Sequence, residues 1–252
     1  MKLFDLTGKK ALVTGGGTGL GSGIAEGLLE AGAEVVLTGS SDKAEKKAGE
    51  FRAAGYPAHA VRGNLLYEED TRRVFKEALD LLGGKIDILV NNAGIQRRRN
   101  SEDFLMSDFD DIMNVNLRSA FILCQLAGRE MLKQGKGKII NILSMSIYFG
   151  GILIPAYTAS KAGLAQMTKT LGNEWASKGI NVNAIAPGYM ATDMCMALKN
   201  DEERNRDILS RIPAGRWGEP SDMKGAVIFL ASAASDYLSG AVIQVDGGYA
   251  SR

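Results

Sequence analysis

Short runs of apolar and β-branched residues alternate along the chain with longer stretches in which apolar positions recur every three or four residues. The runs 10–14 (KALVT), 34–38 (EVVLT), 59–62, 86–90 (IDILV), 138–143 (KIINIL), 180–185 (INVNAI) and 239–245 read as strands. The first helical pattern carries Ile24, Leu28 and Ala31 on one face and stops at Gly32, a suitable C-cap. A charged helix is predicted over 45–54, ended by Gly55-Tyr56-Pro57, and an amphipathic one over 68–82 with Val74, Ala78, Leu81 and Leu82 as its stripe. A long helical stretch covers 107–134. Leu164, Met167, Leu171 and Trp175 form a core or interface stripe before Gly179, and a last helix covers 221–232. Residues 191–211 are polar, mixed in charge and poorly periodic, which predicts a substrate lid over 189–213. Strands alternating with helices predict one α/β domain over 1–252, with no repeat or linker.

Composition narrows the chemistry. Thirty Lys+Arg against 29 Asp+Glu leave a net charge of +1, so no global field draws nucleic acid or an anionic membrane. Cys124 and Cys195 have no metal or redox spacing and read as reduced thiols of a cytoplasmic protein. The one histidine, His59, lies in an apolar stretch and reads as structural, which leaves little from which to build a metal site or a Ser-His-Asp triad. The N-terminal stretch lacks a long apolar leader, and no run approaches membrane-spanning length, so neither secretion nor insertion is expected.

Two constellations carry chemistry. TGGGTGLG follows the first strand at once, with Gly15, Gly19 and Gly21 leading into the first helix. Strand, glycine turn, helix and strand form the unit that sets a dinucleotide pyrophosphate on a helix N-terminus. The second constellation is SMSIYFGGILIPAYTASK, from Ser144 to Lys161. Tyr157 and Lys161 are four apart, so a helix turns them to one face. A lysine beside a tyrosine biases the phenol toward its charged form, which a group titrating near pKa ~10 needs for proton exchange at neutral pH. Ser144, just past a buried strand, is placed to hydrogen-bond the oxygen that Tyr157 serves.

The spacing Gly15-x-x-x-Gly19-x-Gly21, NNAG at 91–94, Ser144 and Tyr157-x-x-x-Lys161 resemble the short-chain dehydrogenase/reductase family over the whole chain. The resemblance implies a single-domain, Rossmann-like, doubly wound parallel sheet of about seven strands with helices on both faces. It also implies a nicotinamide cofactor, no metal in the chemistry, and a homotetramer. Asn116, in NVNLRS, matches the asparagine that disturbs its helix and extends a proton relay from Tyr157 through Lys161. Cofactor contacts carried over fall on Gly15, Thr18, Gly19, Leu20, Ser40, Asn64, Leu65, Asn92, Ala93, Gly94, Tyr157, Lys161, Pro187, Gly188, Met190 and Thr192. Thr38-Gly39-Ser40-Ser41 holds neither an acid for a ribose 2′-hydroxyl nor a base for a 2′-phosphate. Without a basic residue at Thr18 the expectation is NAD, with NADP open.

Gln96 and three arginines, Arg97 to Arg99, follow the fourth strand on the side where open parallel sheets bind ligands. A guanidinium there suits a substrate carboxylate. NNAG with its arginines, NEWASKGINVNAIAPGYMAT and RIPAGRWGEPSD resemble the 2-deoxy-D-gluconate 3-dehydrogenase group of the family, which implies a sugar acid as substrate. Gluconate 5-dehydrogenases and 3-oxoacyl-carrier-protein reductases are the nearest alternatives, and a silent nucleotide-binding scaffold is the non-enzymatic one. The expected substrate contacts are Gln96, Arg97, Ser144, Ser146 and Tyr157.

Overall fold

The computed structural model describes residues 2–251. Its seven strands are β1 (Lys10–Thr14), β2 (Glu34–Gly39), β3 (Ala58–Arg62), β4 (Ile88–Asn91), β5 (Gly137–Ile142), β6 (Ile180–Pro187) and β7 (Val242–Val245). They form one sheet in the order β3-β2-β1-β4-β5-β6-β7, and every pairing is parallel. The helices are α1 (Gly19–Glu30), α2 (Lys43–Ala53), α3 (Glu68–Leu81), α4 (Met106–Met113), α5 (Ser119–Gln134), α6 (Pro155–Trp175), α7 (Met196–Asn200), α8 (Glu202–Ser210) and α9 (Lys224–Ala231).

Both faces of the sheet are buried, which is why its strands read as near-continuous apolar runs. Ala11 and Val13 of β1 and Val35 and Leu37 of β2 enter one layer, with Ile24 and Leu28 of α1, Phe51 of α2 and Val227 of α9. Leu12 and Val36, between them in sequence, enter the other, with Val74 of α3, Leu123 and Met131 of α5 and Leu171 of α6. Strand order reverses between β1 and β4. Connections leave in opposite directions there, so a crevice opens at the carboxyl ends of these two strands.

Leu81, expected in the apolar stripe of α3, is instead 44% exposed. The stretch 107–134 carries the local disturbance that the resemblance implied at Asn116: a π turn at Asn114–Arg118 separates α4 from α5. Such a turn inserts an extra residue into the helical ladder and re-aims the side chains around it. The lid segment is also more regular than its weak periodicity suggested. Asp201 accepts from the Arg204 amide at 3.1 Å and caps α8, while Glu202 and Glu203 occupy its first turn, where the helix dipole favours acids. Ile208 of α8 and Ile212 beyond it pack on Trp217 and Tyr249 in a small separate core.

A buried polar ladder ties the sheet to α6. Asn91 Nδ2 donates to Asn141 Oδ1 at 2.9 Å, Asn141 Nδ2 to Thr168 Oγ1 at 2.9 Å, and Thr168 Oγ1 to the Leu164 carbonyl at 2.8 Å. Asn141 and Thr168 are fully buried, so each partner is left uncompensated if the chain of bonds is cut. Asn141→Ala is therefore expected to lower unfolding free energy by about 2–4 kcal/mol, read from the denaturant midpoint at unchanged slope. A loss under about 0.5 kcal/mol would show that the ladder does not hold α6 in place.

Candidate active site

The crevice is built from four strand ends. Gly15 (φ 64°) and Gly19 (φ 51°) take the left-handed conformation that the turn after β1 requires. At Gly21 a Cβ would lie 2.1 Å from the Gly15 carbonyl oxygen, so only glycine lets α1 begin this close to the turn. Beyond β4, Asn92 fastens this turn: its Nδ2 donates to the Thr14 carbonyl at 2.9 Å and the Gly15 carbonyl at 3.3 Å. Thr14 Oγ1 accepts from the amides of Asn92 (3.0 Å) and Ala93 (2.9 Å). From the β6 side, Gly188 donates to the Val245 carbonyl at 2.9 Å, and Thr192 stands over the glycine turn, its Cγ2 3.3 Å from where a Gly19 Cβ would sit. The result is a glycine-lined backbone cradle braced by the Asn92 side chain, and it fits a nicotinamide dinucleotide.

Of the other expected cofactor contacts, Leu65 is buried against the second core and Leu20 packs on the first. Asn64 uses its amide oxygen within its own turn, accepting from Leu66 at 3.1 Å. Pro187 ends β6, and Met190 is buried, in a bridge with Gly218. Ser40 is exposed just past β2.

The second constellation sits beside this cradle. Pro155 at the first turn of α6 fixes its start, and one helical turn brings Tyr157 and Lys161 to the same side. Lys161 is only 3% exposed, and its Nζ donates to the Ile142 carbonyl at the end of β5 at 2.7 Å. It lies near Gly94, where an added Cβ would be 3.6 Å from Nζ and 3.3 Å from Asn116 Oδ1. Asn116, inside the π turn, grips the strand-to-loop junction from both sides. Its Oδ1 accepts from the Ile95 amide at 2.8 Å and its Nδ2 donates to the Ile95 carbonyl at 3.0 Å. The same nitrogen donates to Ser160 Oγ at 3.1 Å, and Ser160 in turn to the Tyr157 carbonyl at 2.7 Å. Ser144 Oγ accepts from the Ser146 amide at 3.2 Å, which turns the chain beneath the crevice. Ser146 is buried, and its own hydroxyl has no hydrogen-bond partner among the described residues.

The electrostatics differ from the sequence expectation. Lys161 Nζ lies 5.8 Å from the centroid of the Tyr157 ring and spends its hydrogen bond on Ile142. Although part of the Tyr157 residue stays accessible, burial is the largest influence on its phenol and pushes it up to about 12. The neighbouring Ser144 hydroxyl and the positive charge of Arg98 offset part of this. Lys161, buried with no carboxylate partner, is pushed down to about 8. In the free chain, then, Tyr157 is a protonated donor and Lys161 a cation close to losing its charge.

The arginine run is sorted by its neighbours. Arg97 turns toward Asp108, 3.8 Å away, and Arg99 donates to the Asp103 carbonyl at 3.5 Å. Arg98 is exposed like its two neighbours, but its charge acts on both Tyr157 and Cys195, and its Nη2 donates to Gln96 Oε1 at 3.4 Å. Sequence reasoning singled out Arg97, which lies beside Asp108, whereas Arg98 is the arginine of the three whose charge reaches Tyr157. Nothing in three identical side chains distinguishes them until the loop's path is known. Among the described residues no group of three or more His, Cys, Asp or Glu side chains comes together to hold a metal ion. Among the same residues no helix is long and apolar enough to cross a membrane.

A dinucleotide cradle at the switch point of a parallel sheet, with a tyrosine, lysine, serine and asparagine at its edge, defines a nicotinamide-dependent oxidoreductase. Residues 15–250 match the model of a family described as Enoyl-(Acyl carrier protein) reductase. The chain belongs to the short-chain dehydrogenase/reductase family. It is 49% identical over 249 residues to 2-dehydro-3-deoxy-D-gluconate 5-dehydrogenase of Bacillus subtilis (strain 168), covering 99% of this chain and 97% of that one. It is 40% identical over 247 residues to gluconate 5-dehydrogenase of Gluconobacter oxydans (strain 621H), covering 98% and 96%. Among solved structures it resembles a gluconate 5-dehydrogenase from Burkholderia cenocepacia J2315 in complex with NADP and tartrate. The TM-score is 0.95 at 40% identity, over 100% of this chain and 98% of that one.

Lys161 generates a stability prediction. Its folded value of about 8 lies below its ordinary 10.5. Below pH 8 the folded state carries the full penalty of the buried ammonium, and the penalty disappears as pH rises toward 10.5. Lys161→Met is therefore expected to be more stable than the parent at pH 7, by about 1–3 kcal/mol, with the difference shrinking by pH 10. Paired thermal melts at the two pH values measure it. A gap that is constant or widens with pH would contradict the assignment.

Proposed function

We propose that this protein transfers a hydride between a nicotinamide cofactor and a secondary alcohol or ketone carbon of a sugar acid, acting as a 2-dehydro-3-deoxy-D-gluconate 5-dehydrogenase or 2-deoxy-D-gluconate 3-dehydrogenase. The observation that carries the reading is the meeting of Tyr157 with Ser144 and Lys161 beside the dinucleotide cradle, with the Arg98 charge acting on the same phenol. When bound, the cofactor supplies the hydride donor or acceptor. Tyr157 holds the proton that the substrate oxygen gains or gives up, and a phenol kept protonated in the free chain suits donation to a ketone. Ser144 binds the same oxygen through its hydroxyl. Lys161 and the Asn116–Ile95 clamp fix the junction where Tyr157 meets the cradle. Arg98, steadied by Gln96, pairs with the substrate carboxylate, and the unpartnered Ser146 hydroxyl takes a substrate hydroxyl.

The relatives' names support the substrate class: both sequence relatives are named for sugar-acid dehydrogenation, and the solved one holds tartrate, a small hydroxy-dicarboxylate. An oxoacyl thioester is the second reading, favoured by the exposed Tyr148, Ile152 and Leu153 at the rim. We read the segment 189–213 as a lid over the substrate, and the enzyme as a cytoplasmic homotetramer. Phe121 and Leu132, exposed on α5, and the free Cys124 and Cys195 support that assembly and compartment.

Absorbance of the reduced nicotinamide tests the reading with 2-dehydro-3-deoxygluconate, gluconate and a short 3-oxoacyl thioester, each with either cofactor. Turnover is expected on the deoxy sugar acid, and turnover on the thioester alone would overturn the substrate class. Arg98→Gln is expected to raise KM for the acid by about 10–100-fold, the loss of one charge-assisted contact, while Arg97→Gln changes it less than about threefold. Equal effects of the two would remove Arg98 from the site.

A further inference from the structure

We infer that Arg62 reads the ribose 2′ position, so that the chain prefers the phosphorylated dinucleotide, NADP, over NAD. The inference rests on the dinucleotide reading above and adds to it the residue that selects the cofactor. Cofactor choice in this fold is made just past β2, where an acid accepts from a 2′-hydroxyl and an arginine nearby meets a 2′-phosphate. In this chain the turn holds no acid between Thr38 and Ser41, and the glycine turn has Thr18 where a cation would stand. Neither loop supplies the charge that a phosphate requires.

The neighbouring strand does. β2 and β3 pair in parallel with Gly39 opposite Arg62, which brings the last residue of β3 alongside the end of β2. Arg62 is exposed, and its Nε donates to the Ser40 carbonyl at 3.2 Å. That bond holds the guanidinium at the ribose turn. Among the described residues Nη1 and Nη2 of Arg62 make no hydrogen bond. Two parallel donors thus remain for a phosphate, next to the exposed Ser40 and half-exposed Ser41 hydroxyls. The nearest acid, Asp42, does not compete on equal terms. It pairs with Lys46 at 2.7 Å, and its carboxyl is held below the usual range first by Lys46, with Arg62 contributing last. Arg62, Lys46 and Asp42 together leave a net positive charge at the turn, which favours a dianion and gives nothing to a 2′-hydroxyl in particular. The solved Burkholderia cenocepacia relative, whose crystals hold NADP, agrees with that balance.

Calorimetric titration of the protein with 2′,5′-ADP and with 5′-AMP isolates the claim, because the two probes differ only by the 2′-phosphate. The parent is expected to bind 2′,5′-ADP at least about tenfold more tightly. Arg62→Gln is expected to lose about 10–100-fold on 2′,5′-ADP and less than about threefold on 5′-AMP, while Arg62→Lys retains part of the preference. Thermal melts of both variants within a few degrees of the parent establish that they are folded. Equal binding of the two probes by the parent, or an equal loss on both in Arg62→Gln, overturns the role of Arg62 and leaves the dinucleotide reading standing. Binding of neither probe overturns both.

Discussion

Everything at the site depends on one uncompensated burial. The Lys161 ammonium sits 3% exposed at the carboxyl end of β5, with the Ile142 carbonyl as its hydrogen-bond partner and no carboxylate beside it. Such a group is expensive to keep charged, and it persists only where surrounding structure over-determines it. The surroundings do so from three directions. Helix α6 is tied to the sheet through Thr168, Asn141 and Asn91. The π turn presents Asn116 to Ile95 and Ser160, and the strand end itself supplies the carbonyl. Stability is given up at one lysine, and a positioned, poised cation is obtained where a proton must move.

The same low-dielectric setting acts on Tyr157 in the opposite sense. Burial disfavours phenolate as it disfavours ammonium, so the two pKa values, ordinarily close together, move apart, Tyr157 upward to about 12 and Lys161 downward to about 8. The i, i+4 spacing made the pair legible. It did not show that Lys161 turns to the Ile142 carbonyl, nor that burial is the largest influence on the phenol. Spacing along a helix reports direction, whereas the balance of desolvation and charge depends on which strand end the helix is packed against.

How far the sequence was legible follows the same division. The strands were readable because both faces of a parallel sheet are apolar, and the glycine turn because positive φ and close backbone approach admit few residues. α7 and α8 were not, since their helicity comes from the Asp201 cap and from packing on Trp217 and Tyr249, partners distant in sequence. Arg98 was indistinguishable from its two neighbours, and Arg62 drew no notice because its meaning arises from the β2–β3 register. Contacts made across strands are the part of a site that a linear pattern conceals.

The central claim is that Tyr157 is the proton carrier of a buried oxidoreductase site whose binding surfaces do not depend on its hydroxyl. Turnover and dinucleotide affinity of Tyr157→Phe, measured on the same preparation, test it most directly. The expected result is a loss of about 10²–10⁴-fold or more in kcat with dinucleotide affinity within a few-fold of the parent. Turnover retained within tenfold would contradict the account, because the proton would then be moving through another group.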